Sequence, residues 1–154
     1  MPIDRASLVF FDASALFLAA NSPLGGSAFL ISVCSRGYLR GVVSPDVLLE
    51  AERNIVEKGQ PGSIRRYRAL VASTPLLIVS VPSEHVVRGY SAIFMEDAHV
   101  IAAAVASGSD FLITLDQRLE RRVRVSGLSV VALSPKEFLQ AIVPNHPDYN
   151  EIRS

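Results

Sequence analysis

Four carboxylates in this chain stand where chemistry could use them. Asp12 ends the apolar run of "SLVFFDASALF", Asp116 ends "DFLITLD", Asp97 opens the alanine-rich "EDAHVIAAAVASG", and Glu50 lies in "SPDVLLEAERNI". A single aspartate after a strand is most often a helix cap; four acids in register call for a shared explanation. Brought together at about 5 Å, each pair would repel by roughly 3 kcal/mol at an effective dielectric near 20. A net stability of roughly 5–15 kcal/mol does not absorb several such pairs. Either some of the acids are protonated or a cation sits among them. All-oxygen ligation suits a hard ion such as Mg²⁺ or Mn²⁺, which can activate water against a phosphodiester.

The residues around these acids have bland readings as well as functional ones. Ser14, two positions after Asp12, reads equally as a helix cap or as a helper of that acid. Thr114, two before Asp116, fits a β-branched strand position. Glu50 shares the polar side of its helix with Asp46 and Asn54, whereas Glu52 falls among Leu48, Ala51 and Ile55 and reads as a buried acid. Spacing alone does not choose between the two glutamates. Asp97 shares a helix face with Ile101 and Ala104, which turns it towards the sheet. His99 reads as a solvated residue near a helix start, and His85 and His146 have no partner at ligand spacing.

The elements that must position these acids follow from the apolar pattern. Strands are expected at Ser7–Phe11, in "LRGVVS", in "PLLIVSVP", in "DFLITLD" and in "LSVVAL". Helices alternate with them, the clearest start being Ser44 as N-cap with Pro45 at the first helical position of a helix running to about Lys58. Near-continuous apolar strands alternating with helices predict an α/β fold with three layers, a mostly parallel five-stranded sheet between helices. In such sheets ligands sit at the carboxyl ends of the strands, which puts Asp12 and Asp116 on the functional edge. One domain is expected over residues 1–143, with a loose extension over 144–154, where "PNHPDYNEIRS" loses its periodicity.

Composition narrows the class. The 154 residues are 49% hydrophobic and 19% charged, as a globular core requires, and the formal net charge is zero. No global field therefore draws the chain to a polyanion; any such partner is held locally. The arginines do cluster, Arg65, Arg66 and Arg68 in one place and Arg118, Arg121, Arg122 and Arg124 in another, and on base rates both clusters are solvated helix faces. The single cysteine, Cys34, excludes an internal disulfide and reads as a core residue. With neither a leader-like opening nor an apolar run long enough to span a bilayer, the expectation is a cytoplasmic protein with no membrane association.

The stretches "FFDASAL", "SPDVLLEAERNI" and "EDAHVIAAAVASGSDFLITLD" resemble the successive acidic motifs of PIN-domain nucleases, the family that includes VapC-type toxins of toxin–antitoxin pairs. The resemblance runs from about Leu8 to Ile142, and its most specific part is the helix opening at Asp97 followed by a strand ending in Thr-x-Asp. It implies Asp12, Glu50, Asp97 and Asp116 as the catalytic, metal-holding acids, with Ser14 and Thr114 orienting them, and it favours Glu50 over Glu52. It further implies a Mg²⁺- or Mn²⁺-dependent endoribonuclease, with Arg118, Arg121 and Arg122 near the phosphates, a homodimer, and an antitoxin protein as partner. Non-toxin RNA processing is the alternative within the family. A receiver-type phosphoaccepting domain, which also uses strand-end acids and a lysine such as Lys136, fits less well, because the third strand ends in "VSVPSEH" without an acceptor aspartate.

Overall fold

The computed structural model describes residues 2–154. In chain order the elements are β1 (Leu8–Phe11), α1 (Ala13–Asn21), α2 (Gly26–Ser35), β2 (Arg40–Val43), α3 (Pro45–Lys58), α4 (Ser63–Ser73) and β3 (Leu77–Ile78). They continue with α5 (Glu84–Phe94), α6 (Ala98–Ala106), β4 (Phe111–Ile113), α7 (Gln117–Ser126), β5 (Val131–Leu133), α8 (Pro135–Glu137) and α9 (Tyr149–Arg153). The five strands form one sheet in the order β3-β2-β1-β4-β5, and every pair is parallel.

That order determines where the helices go. From β1 the chain steps one way to β2 and β3, then returns past β1 to β4 and β5. Right-handed crossovers place α1–α4 on one face and α5–α7 on the other, and α8, after the last strand, returns to pack on α2. Accordingly α1 packs with α2, α3 and α4, while α5 packs with α6 and α7. The three-layer α/β expectation holds, and the sheet is wholly parallel. The order also separates this fold from the receiver type, whose strands run 2-1-3-4-5.

The central strands are the most deeply enclosed. Val9, Phe10 and Phe11 of β1 and Phe111, Leu112 and Ile113 of β4 are all buried, and Phe111 meets Phe138 edge-on at 5.0 Å. β1 and β4 run in register, Phe10 beside Leu112 and Phe11 beside Ile113. Cys34 is buried as expected, and loss of hydration pushes its thiol up to about 12, so it is inert at neutral pH.

Two regions differ from the sequence expectation. The third strand is far shorter than "PLLIVSVP": only Leu77 and Ile78 join the ladder, and both are exposed. The residues from Pro144 onward are docked, not loose. Ile152 is 1% exposed, and Arg36 donates from Nη1 to the Ile152 carbonyl at 2.8 Å and from Nη2 to that of Glu151 at 2.7 Å. Arg5 pairs with Asp148 at 2.8 Å. His146 is buried between Tyr38 and Asp148: its Nδ1 accepts from the Asp148 amide at 2.9 Å, which leaves Nε2–H to donate to the Tyr38 carbonyl at 2.8 Å. Apart from the local His146–Asp148 bond, these partners lie more than a hundred residues apart in sequence, which is why local periodicity carries no trace of them.

Among the described residues no single helix is long and apolar enough to cross a membrane.

Candidate active site

The direction in which the chain adds strands reverses between β1 and β4, and the crevice beyond their carboxyl ends is the place where parallel α/β sheets take ligands. A cleft of about 230 Å³ lies here, and Asp12, Glu50, Asp97 and Asp116 all line it. Each acid arrives on its own element. Asp12 follows β1 and Asp116 follows β4 by three residues; Glu50 comes from α3, and Asp97 ends a short 3₁₀ turn, Met95–Asp97, that leads into α6.

Asp12 is the buried member, 8% exposed. Its amide donates to the Ile113 carbonyl at 2.9 Å, which extends the β1–β4 ladder by one step. Its Oδ1 accepts from the Ala13 amide at 2.8 Å, so it is also the N-cap of α1. Its Oδ2 accepts from the Thr114 hydroxyl at 2.8 Å and, more weakly, from Ser14 Oγ at 3.4 Å. Burial holds the Asp12 carboxyl above the ordinary carboxylate range; the Thr114 and Ala13 bonds and nearby His99 pull it down, and Asp116 pushes it up.

Thr114 and Ser14 tie the first acid to the last. Thr114, fully buried, donates to Asp12 and accepts from the Asp116 amide at 3.1 Å. Ser14 accepts from the Leu115 amide at 3.1 Å. Ser14 is therefore a cross-strand brace, and the cap of α1 is Asp12 itself. Asp116 is exposed and caps α7, its Oδ1 accepting from the Arg118 and Leu119 amides at 2.9 and 3.2 Å. Capping and lining a cleft are not exclusive: both strand-end aspartates do both.

Asp97 behaves differently. It is half-buried with no side-chain capping bond, and its carboxyl is pushed up to about 6, first by burial and then by Asp12, Asp116, Glu96 and Glu50. The backbone just before it is strained: Met95 has φ +50°, the one non-glycine residue at positive φ among the described residues. Such a conformation costs about 1–3 kcal/mol and persists where the surroundings enforce it.

The two glutamates separate cleanly. Ser44 caps α3, its Oγ accepting from the Val47 amide at 3.2 Å, and Val47, Ala51 and Ile55 bury against the core. Glu50 then faces the cleft with Asn54 and Lys58, which follow it about one and two turns along the same stripe. Glu52 is not buried: it faces Arg68 at 3.2 Å in a partly exposed pair. Asn54, Lys58 and Phe17 are cleft residues that the acidic motifs do not point to, although the i, i+4, i+8 spacing from Glu50 is visible once α3 is known to bury its other side.

The arginine clusters also divide. Arg66 donates to the Ala20 carbonyl at 2.8 Å, Arg68 pairs with Glu52 and Arg124 with Glu120 at 3.3 Å. Arg118, Arg121 and Arg122 instead line a shallow depression with Val125 and pair with no acid among the described residues.

The donor set suits a hard divalent cation: four carboxylates, no sulfur, and mutual repulsion that a cation would relieve. The side chains are not drawn into a finished cage; among the described residues no three His, Cys, Asp or Glu groups stand close enough to hold an ion as they are. Both oxygens of Asp12 and one of Asp116 already accept hydrogen bonds, and like charges with nothing between them keep apart.

This fold and this acidic cleft define a class. A family model described as a PIN domain matches residues 8–118, and the chain belongs to the PIN-domain family of nucleases. Among solved structures it is similar in fold to PAE2754 from Pyrobaculum aerophilum, at 18% identity and a TM-score of 0.64, over 87% of this chain and 93% of that one. It is also similar to VapBC2 from Rickettsia felis, solved bound to a promoter DNA fragment (13% identity, TM-score 0.58, 82% of this chain and 98% of that one). A third is VapC20 from Mycobacterium tuberculosis, described as a Sarcin-Ricin loop cleaving toxin (16% identity, TM-score 0.56, 79% and 98%). No curated protein sequence matches the chain.

Proposed function

We propose that this protein is a Mg²⁺- or Mn²⁺-dependent endoribonuclease and the toxin of a toxin–antitoxin pair. The observation that carries the reading is the meeting of Asp12, Glu50, Asp97 and Asp116 in one cleft, with Asp97 pushed up to about 6 by its acidic neighbours. In this reading all four acids hold the cation, which when bound supplies charge neutralisation and water activation. Glu50, on a helix face open to the cleft, takes a proton of the attacking water as the water oxygen bonds to phosphorus and the bond to the leaving ribose oxygen breaks, that oxygen taking a proton from solvent. Thr114 and Ser14 hold Asp12 in place through their hydroxyls, so they act on the reaction through that acid. Arg118, Arg121 and Arg122, on the first two turns of the helix that Asp116 caps, receive phosphates beside the cut.

The toxin assignment rests on the family and on structural likeness to VapBC2 and VapC20. An antitoxin protein is the expected partner and the cytoplasm the expected location. For the homodimer, α5 leaves Val86 and Ile93 exposed, and α5 is the surface we assign to it. Purified protein incubated with structured and unstructured RNA is expected to cut in Mg²⁺ or Mn²⁺ and to stop on chelation; cutting that persists in chelator refutes the reading. Growth arrest on expression, relieved by a small protein encoded next door, separates a toxin from an RNA-processing nuclease.

A further inference from the structure

The acidic cleft has a second end. Glu50, Asn54 and Lys58 follow one another along a single face of α3 and all line it, so the cleft continues about 12 Å from the acids along the helix axis. The opposite wall at that level is Phe17 of α1, half-buried against the core. The Lys58 ammonium stands over the Phe17 ring, 5.6 Å from its centroid, and its flexible stem lets it swing off that face when a base stacks there. No carboxylate of the described residues pairs with Lys58, although it shares a cleft with four of them. Arg66 and Arg68 on neighbouring α4, by contrast, are already engaged by a backbone carbonyl and by Glu52.

A cation with no carboxylate partner next to an aromatic ring is the combination that single-stranded nucleic acid uses: the ring takes a base face and the cation takes a phosphate. We propose that Phe17 and Lys58 form a nucleotide subsite at the far end of the cleft. There Phe17 supports a base and Lys58 binds a phosphate of the same RNA strand, a step or more away from the phosphate at the acids. The subsite rests on the nuclease reading and adds to it a direction: the strand enters along α3, over Lys58, towards Glu50. Lys58 would thus offset locally the repulsion that the acids exert on a polyanion.

The test uses the full chain carrying Asp12→Asn to prevent cutting, and a fluorophore-labelled single-stranded oligoribonucleotide of about ten nucleotides, matched to the size of a single-strand site. Anisotropy titrations across a range of salt should show Lys58→Gln lowering the slope of log affinity against log salt by about 0.7, the value of one lost single-strand phosphate contact, with Lys58→Arg restoring it. Phe17→Leu, which keeps the core contact, should weaken binding by about 5- to 150-fold and leave the slope unchanged. With Asp12 intact, Lys58→Gln should raise KM several-fold and hold kcat within about twofold, the mark of a group that binds without entering the reaction. An unchanged salt slope and KM in Lys58→Gln, in a protein that still cuts RNA through its acids, overturns the subsite and leaves the nuclease reading standing. A wild-type protein that neither binds nor cuts RNA overturns both.

Discussion

β1 and β3 both follow from apolar stretches of sequence, yet they have opposite fates. β1 lies between β2 and β4, its Val9, Phe10 and Phe11 are buried, and its backbone pairs on both sides. β3 is one of the two edges, pairs only with β2, and leaves Leu77 43% and Ile78 57% exposed. The difference teaches where this fold can hold an acid. A carboxylate at the end of a doubly paired, buried strand has a determined position and a determined donor, as Asp12 has in Thr114. A carboxylate at the end of β3 would have neither.

The comparison predicts a gradient of mutational effects. Phe10→Ala in the enclosed strand is expected to lose about 3–5 kcal/mol of stability, the ordinary loss for a buried phenylalanine. Urea unfolding checks this, and a loss below about 1 kcal/mol would mean the centre is no better packed than the edge. Thr114→Val keeps the shape and removes the hydroxyl that joins Asp12 to the Asp116 amide. The expected result is a fall in RNA cleavage of about 10- to 100-fold with a normal melting profile. Full activity in that variant would show that Asp12 needs no such brace.

Asp97 sharpens the comparison because it sits near the centre without the hydrogen bonds of Asp12. Its folded-state pKa of about 6 stands above the ordinary 3.8, so the folded protein holds this proton more tightly than the unfolded chain. The stability this contributes is complete below about pH 3.8 and is lost as pH rises through about 6. Asp97→Asn does not titrate, so it should melt above wild type at pH 8 and lose that advantage by pH 4. Parallel melting curves at every pH would contradict the clustering of the acids. The smallest effect belongs to the edge: Ile78→Glu should change stability by no more than about 0.5 kcal/mol and leave cleavage untouched, as measured by unfolding and by turnover.

Much of the site is legible in the sequence because its signals are local. The apolar runs before Asp12 and near Asp116, the Ser44-Pro45 start of α3 and the alanine-rich α6 all report on themselves. The misreadings share a cause, which is dependence on something distant. "PLLIVSVP" has strand composition to its end, but beyond Ile78 the ladder adds only a bond from the Val79 amide to Val43. The polar C-terminal residues look loose until Arg36, Arg5 and Tyr38 are brought beside them. Glu52 looks buried from its apolar neighbours, yet it lies partly exposed beside Arg68 of α4, a partner sixteen residues on in the next helix. Lys58 and Phe17 meet only because α1 packs on α3.

The most direct test of the central claim, that the four acids work as one cation-dependent site, is RNA cleavage in Mg²⁺ by wild type, Asp12→Asn and Asp97→Asn purified side by side. Each asparagine is nearly isosteric with the acid it replaces and removes one charge from the cleft. The account predicts that wild type cuts and that both variants fall to the level of the chelated wild type. Cleavage by either variant at the wild-type rate would contradict it.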